Sequence, residues 1–185
     1  VNTITDAVRV WNVTENAGTF GSYRTTSTYN PGELFKNVTK DLEEEFKENI
    51  GKIIIGSLDS MDQRLLDKQA TIEELVDEYW SVDENHFVYK KDWWKIAYLE
   101  GTVVGITQPV VYKGSARDGL VEGTVHYIGV LPEHRGQGYI IDLLQEATET
   151  LKSIGVWRIF SDTDINNLPM RNAFEKVGYS VWRKI

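Results

Sequence analysis

Residues 126–155 read HYIGVLPEHRGQGYIIDLLQEATETLKSIG, and a change of hydrophobic period inside this stretch decides the fold. Into it runs an alternation, Thr124, His126, Ile128 and Val130 on one face against Val125, Tyr127 and Gly129 on the other, which is the period of a strand; Pro132 ends it. Beyond it, Ile140, Leu143, Leu144, Ala147, Leu151 and Ile154 recur at three-four spacing, one apolar stripe of a helix, with Gly155 placed for a left-handed C-cap. Between the two lies Arg135-Gly136-Gln137-Gly138-Tyr139-Ile140. A strand that turns through glycines into a helix leaves the helix's first N–H groups unpaired, and such an end binds anions. Glycine lets a phosphate reach those amides and permits positive φ. Taken alone, the G-x-G is equally an ordinary tight βα turn. A nucleotide-binding P-loop is a poor match, because the Lys-Ser/Thr pair is missing after Gly138.

Working outward toward the C-terminus, a strand is predicted over 156–161, then an Asn166-Asn167 loop and a short helix from Pro169 whose stripe is Met170, Ala173, Phe174 and Val177. Toward the N-terminus, strands are predicted at 87–89, 95–99 and 103–111, the last two joined at Glu100-Gly101, with a loop at 113–119. Thr71-Ile72-Glu73-Glu74 is a capping box opening a helix striped by Ile72, Leu75, Val76, Tyr79 and Trp80. A short β-branched run, Lys52 to Gly56, reads as a buried strand. Before it, Asn30 as N-cap, Pro31 and Glu33 open a helix through Ile50 that Gly51 ends. Val8–Val13 and Phe20–Tyr29 read as two strands or one hairpin. The expected division is 1–50, an α/β extension packed on the core, and 51–185, the core domain.

The chain's 185 residues, 41% hydrophobic with six Trp and nine Tyr, suffice for one well-filled domain with an appendage. A formal charge of −8 argues against a nucleic-acid or anionic-membrane partner and suits a cationic substrate such as an amine. Without cysteine there is neither a disulfide nor a thiol nucleophile, so acyl-enzyme chemistry through Cys is excluded. The longest purely aliphatic run, Ile53–Ile55, is far too short to span a bilayer, and a cytoplasmic location is expected. A homodimer is compatible with the composition.

The block Val130-Leu131-Pro132-Glu133-His134-Arg135-Gly136-Gln137-Gly138, followed by a long helix, a strand, the Asn loop, a short helix and Gly178-Tyr179, resembles the pyrophosphate-binding motif of the GNAT superfamily of acetyl-CoA-dependent N-acetyltransferases. The resemblance implies a mixed α/β (α+β) fold. Its twisted, mostly antiparallel sheet would carry helices on both faces and a cofactor cleft splayed between the strands flanking the long helix. It implies acetyl-CoA as cosubstrate, no metal, and direct acetyl transfer to a primary amine of a small molecule in a ternary complex. The cofactor-binding residues it implies are Ile128, Gly129 and Val130, pairing with the pantetheine arm, then Arg135, Gly136, Gln137, Gly138, Tyr139 and Ile140 around the pyrophosphate, and Asn166. Arg135 either adds its charge or braces the loop. Two positions depart from the family. Ile140 stands where Gly or Ala is usual, either crowding the pyrophosphate or turning into the core; Phe174 stands where many members carry a proton-donating Tyr, and Phe donates none. The two departures, Ile140 and Phe174, motivate an alternative, a degenerate module that binds acyl-CoA as a sensor or interaction domain without turnover.

For the amine's proton, His126 is the first candidate base, since an unperturbed imidazole titrates near pH 6.5. It also resembles by position a His of the arylalkylamine branch of the family, although a structural histidine fits as well. Glu122 is the second candidate, on the same face if the strand extends that far. A thiolate proton would come from Tyr127, Tyr139, Tyr179 or water. Trp80, Trp93 and Trp94 either line an acceptor pocket or pack the core, and Asn167 reads best as a helix cap.

Overall fold

From residue 87 onward the period-two segments become strands and the three-four stripes become helices. The computed structural model describes residues 7–13, 34–64, 67, 69–116 and 121–184. In chain order the strands are β1 (Ala7–Val13), β2 (Phe35–Asn37), β3 (Phe87–Val88), β4 (Lys95–Leu99), β5 (Thr102–Tyr112), β6 (Val121–Val130), β7 (Val156–Asp164) and β8 (Ser180–Lys184). The helices are α1 (Glu43–Ile54), α2 (Ser60–Gln63), α3 (Ile72–Trp80), α4 (Tyr139–Ser153) and α5 (Leu168–Lys176). All eight strands form one sheet in the order β2-β4-β5-β6-β7-β1-β8, with β3 paired to β5. The β6–β7 pair is parallel, as a helical crossover through α4 requires, and the other pairs are antiparallel.

Two cores follow from the two faces. Leu144, Ala147 and Leu151 of α4 pack with Ala173 and Phe174 of α5 against Val125, Val156 and Ile159. On the opposite face Phe46, Ile50, Ile53 and Leu75 of α1 and α3 pack against Ile96, Ile106 and Tyr127. The capping box at Thr71 forms, the Glu100-Gly101 turn places both residues at positive φ, and Gly155 takes φ 91° after α4.

The N-terminal reading needs correction. Of the helix expected from Asn30 to Ile50, residues 30–33 lie outside the described residues; within the rest, Phe35–Asn37 pairs with β4 as an edge strand and α1 starts at Glu43. The strand expected at Lys52–Gly56 is the last turn of α1: Phe46, Ile50, Ile53 and Ile54 continue one buried stripe across Gly51. A Cβ on Gly51 would meet Ile72 and Val76 of α3 at the ordinary contact distances of 3.4 and 3.5 Å, so this glycine lies in the α1–α3 interface and does not end the helix. The boundary expected at residue 50 thus falls inside α1, and β1 lies within the sheet between β7 and β8. The strand expected at 20–29 lies outside the described residues.

Candidate active site

The site begins where β6 and β7 part. They pair only from Val121 to Gly123 opposite Val156 to Ile159, whereas β6 continues paired to β5 as far as Val130. At the fork the Ser161 hydroxyl accepts the Val125 N–H at 3.3 Å, filling the first gap. Beyond it the edge of β6 has no strand partner among the described residues. Leu131 N–H donates to Val104 O at 2.9 Å, so alternation along the antiparallel ladder turns the N–H and C=O groups of Ile128 and Val130 away from β5, toward the cleft. A cavity of about 560 Å³ occupies this cleft. Its wall includes Ile128, Gly129 and Val130, the loop residues Arg135, Gly136, Gly138, Tyr139 and Ile140, and from across the cleft Thr163, Asp164 and Asn167.

The loop is built as an anion cradle. Gly136 and Gly138 hold φ of 79° and 91°, and a Cβ on either would meet no atom within 4 Å, so the space over their backbones is open. Gly138 is the N-cap of α4 and no side chain caps that end. Ile141 N–H donates to Gly138 O at 2.9 Å, which leaves the Tyr139 and Ile140 amides at the start of this 15-residue helix without a partner among the described residues, with the helix dipole behind them. Open space and unpaired donors fit the pyrophosphate of a coenzyme A. Gln137 is exposed, its Oε1 accepting the Tyr139 hydroxyl at 3.4 Å.

Arg135 braces this loop instead of offering its charge. Its guanidinium donates to the carbonyls of Ile53 at 2.7 Å, Gly56 at 2.9 Å, Ile55 at 3.1 Å and Val130 at 3.2 Å. Three of those carbonyls belong to the C-terminal end of α1, where a cation is also favoured by the dipole. α1 can come this close because Gly129 has no side chain: a Cβ there would collide with Ile53 Cγ2. Ile140 is half-buried, packs into the core on the α4 face of the sheet, beside Leu143 and Val130, and still forms part of the cavity wall.

The two candidate bases separate. Opposite β5, Gln108 pairs with Tyr127 and Pro109 with Val125, so His126 is the extra residue of a β-bulge. The bulge breaks the expected alternation. Val125 and Ile128 face α4, while His126 joins Tyr127 on the α3 side, its ring 5.5 Å from that of Phe87. His126 lines the cavity, and burial holds its pKa below the ordinary value, with the Glu78 charge acting the other way. Glu122 lies at the closed end of the fork, outside the cavity wall, ion-paired to Arg158.

Asn166 is exposed, does not line the cavity, and donates its N–H to Asp164 Oδ1 at 2.7 Å. Its neighbour Asn167 does line it and caps α5, accepting from Met170 N–H at 3.3 Å. Phe174 is 2% exposed and presents an aromatic wall with no proton to give. The tryptophans are core: Trp94 is fully buried and stacks on Phe46, and the face of Trp80 is covered by the chain's own Lys91 ammonium at 3.1 Å.

A group that the sequence did not bring together lies at the far end of the cavity. Asp62, 3% exposed, accepts the Tyr79 hydroxyl at 2.7 Å and the Tyr127 hydroxyl at 3.4 Å, and the two rings stack at 4.1 Å. Asp59 is the N-cap of α2, accepting Met61 N–H at 2.9 Å. Burial raises the pKa of both carboxyls, and for Asp59 the charges of Asp62 and Asp164 add to it. The only signal available in sequence was the spacing of Asp59 and Asp62 around a one-turn helix, which is indistinguishable from a surface cap.

Known proteins with this arrangement were found by sequence model and by structure. A family model described as "Acetyltransferase (GNAT) family" matches residues 58–179, about two thirds of the chain. Among solved structures, a GNAT-family acetyltransferase from Colwellia psychrerythraea superposes with TM-score 0.59 at 11% identity, covering 97% of this chain and 54% of its own; the chain thus spans about half of that protein. AAC(6')-Iy, in a complex with the bisubstrate analogue CoA-S-monomethyl-acetylneamine, gives 0.54 at 18% identity, covering 82% and 92%. An aminoglycoside 6'-N-acetyltransferase from Acinetobacter haemolyticus gives 0.50 at 17%, covering 82% and 93%. No curated protein matches by sequence. At these identities the structures speak for the fold, and the family model, spanning the parted strands, the glycine loop and α4, settles the family: the chain belongs to the GNAT acetyltransferase family.

Proposed function

We propose that the chain is an N-acetyltransferase that moves the acetyl group of acetyl-CoA to a primary amine of a small molecule, directly, with both bound at once. The observation that carries the reading is that one cavity joins the unpaired edge of β6, the uncapped start of α4 and the His126 imidazole. The amides from Gln137 to Ile140 hold the pyrophosphate, each charge-assisted bond contributing about 1.5–3 kcal/mol. Ile128 and Val130 offer backbone groups to the pantetheine arm, and Asn167 replaces Asn166 on the opposite wall. Acetyl-CoA supplies an activated thioester.

His126 takes the amine's proton. Its lowered pKa keeps the imidazole neutral at pH 7, the state a base requires. Net transfer forms one C–N bond, breaks one C–S bond and releases one thiol. With Phe174 in the wall, the sulfur is protonated by water or by a tyrosine hydroxyl. Tyr127 is the nearer in role, since it lines the cavity, but Asp62 occupies its hydroxyl and, with burial, holds its proton on. Water is the better donor.

A thiol-release assay with acetyl-CoA across a panel of amines tests the reading; release above the acceptor-free rate is expected for at least one amine. Phe174 favours one second reading, an acyl-CoA-binding module without turnover. Acetyl-CoA binding without release on any amine, together with unchanged affinity in His126→Ala, would establish it instead.

A further inference from the structure

The acidic end of the cavity narrows the acceptor, an inference that rests on the acetyl-transfer reading. Asp59, Asp62 and Asp164 all line the cavity, and among the described residues none of the three is in an ion pair. Arg64, the cation nearest in sequence, pairs with Glu78 at 2.8 Å and reaches Asp62 only through its charge, which burial outweighs. Each accepts a neutral hydrogen bond, Asp59 from Met61 N–H, Asp62 from the two tyrosine hydroxyls and Asp164 from Asn166 N–H, but none has a countercharge in an ion pair, which a cationic ligand would supply. A metal is a poor candidate: among the described residues no three His, Asp or Glu groups converge to hold one. A second, separate observation concerns Thr163. It is 4% exposed, it lines the same cavity beside Asp164, and its hydroxyl has no hydrogen-bond partner among the described residues. Buried hydroxyls are nearly always paired, so this one is free to accept a hydrogen bond from a molecule in the cavity.

We propose that the acceptor carries two amine nitrogens, one reacting in its neutral form beside His126 and the other bound as an ammonium at Asp59, where the charges of Asp62 and Asp164 add to the field, with the Thr163 hydroxyl accepting one of its hydrogens. An ammonium has three donors and no acceptor, which matches a wall of carboxylate and hydroxyl oxygens. The stacked Tyr79 and Tyr127 hold Asp62 in the cavity wall with one hydroxyl on each carboxylate oxygen. The class is a diamine, a polyamine or an amino sugar with more than one amine.

The test compares 1,4-diaminobutane with n-butylamine, which share a chain length and differ by one charge. Thiol release by the wild-type protein should favour the diamine by at least about tenfold in kcat/KM, a factor worth one decade of binding. In Asp59→Asn and Asp62→Asn the preference should collapse through a rise in KM for the diamine, with acetyl-CoA affinity by calorimetry retained. Equal kcat/KM for the two amines in the wild type, or a preference that survives both variants, would overturn the inference. Should Asp62→Asn fail to fold, Asp164→Asn takes its place. Direct titration of each amine into the protein reads the same difference without turnover: tighter diamine binding lost in the variants supports the acidic site, and equal or absent binding overturns it. Absence of acetyl-CoA binding, or of thiol release with any amine, strikes instead at the acetyl-transfer reading.

Discussion

His126 owes its position to one extra residue. Had the alternation run unbroken it would share a face with Ile128 and Val130 under α4; the bulge turns it to the Phe87 side and into the cavity. The residue type was legible in the sequence, but the bulge was not, because nothing in a period-two pattern marks where one strand gains a residue on its partner. His126→Gln should lower turnover by roughly 10²-fold to 10⁴-fold with little change in acetyl-CoA affinity. The wild-type rate should rise with pH through a value below the ordinary histidine range, since burial lowers the pKa, and that limb should vanish in the variant. Glu122→Gln should leave the profile in place, because Glu122 is engaged by Arg158 outside the cavity. Asp62 makes a separate point. Its raised pKa means that the surroundings, even with two tyrosine hydroxyls donating, favour the neutral form. Its charge therefore subtracts from stability at neutral pH, and that penalty fades as the pH falls through the raised folded value toward the unfolded one near 3.9. Asp62→Asn should melt at or above the wild-type temperature at pH 7, by about 2–4 °C per kcal/mol recovered, and the gap should close in acid. A lower melting point at pH 7, or a gap that widens in acid, would show that the carboxylate is a structural asset.

Among the elements, the glycine loop, α4 and the strands from β3 onward were legible because local period, caps and turn residues all agree there. The end of α1 was not. Lys52 to Gly56 has the composition of a strand, and only the stripe running through Gly51 shows that the helix continues. That extra turn matters to the site, since it delivers the Ile53, Ile55 and Gly56 carbonyls to Arg135 and so fixes the loop before α4. Gly129 is the hinge of this arrangement. Gly129→Ala would drive a methyl into Ile53 and push α1 off β6, costing about 1–3 kcal/mol as an overpacked contact. Acetyl-CoA affinity should fall with it, because the Arg135 brace moves with α1. Calorimetry and a thermal melt on the one variant check both, and a full-strength brace would be refuted by a destabilised protein that binds acetyl-CoA as tightly as before.

At the scale of the whole molecule, the cleft exists because β7 abandons β6 after Ile159 and is held instead by β1, which pairs Ala7, Val8 and Arg9 with Asp164, Thr163 and Asp162. A strand near one end of the chain thus supports a wall built near the other. Such nonlocal pairing leaves no local mark, which is why residues 7–13 read as part of an appendage and why the acidic group drawn from α2, α3, β6 and β7 was invisible. The formal charge of −8 agrees in sign with the cationic acceptor proposed above but gives it no address. The account stands on the glycine loop and the start of α4 as a coenzyme A cradle, and calorimetric titration of acetyl-CoA into the wild type and Gly138→Val tests that most directly. Gly138 sits at φ 91°, where a branched side chain is strained by about 1–2 kcal/mol, and its Cβ would stand in the open space reserved for phosphate. The expected result is micromolar-range binding near one site per chain in the wild type and at least about a tenfold loss in the variant, whose circular dichroism stays native. No binding in the wild type, or undiminished binding in a folded Gly138→Val, would contradict it.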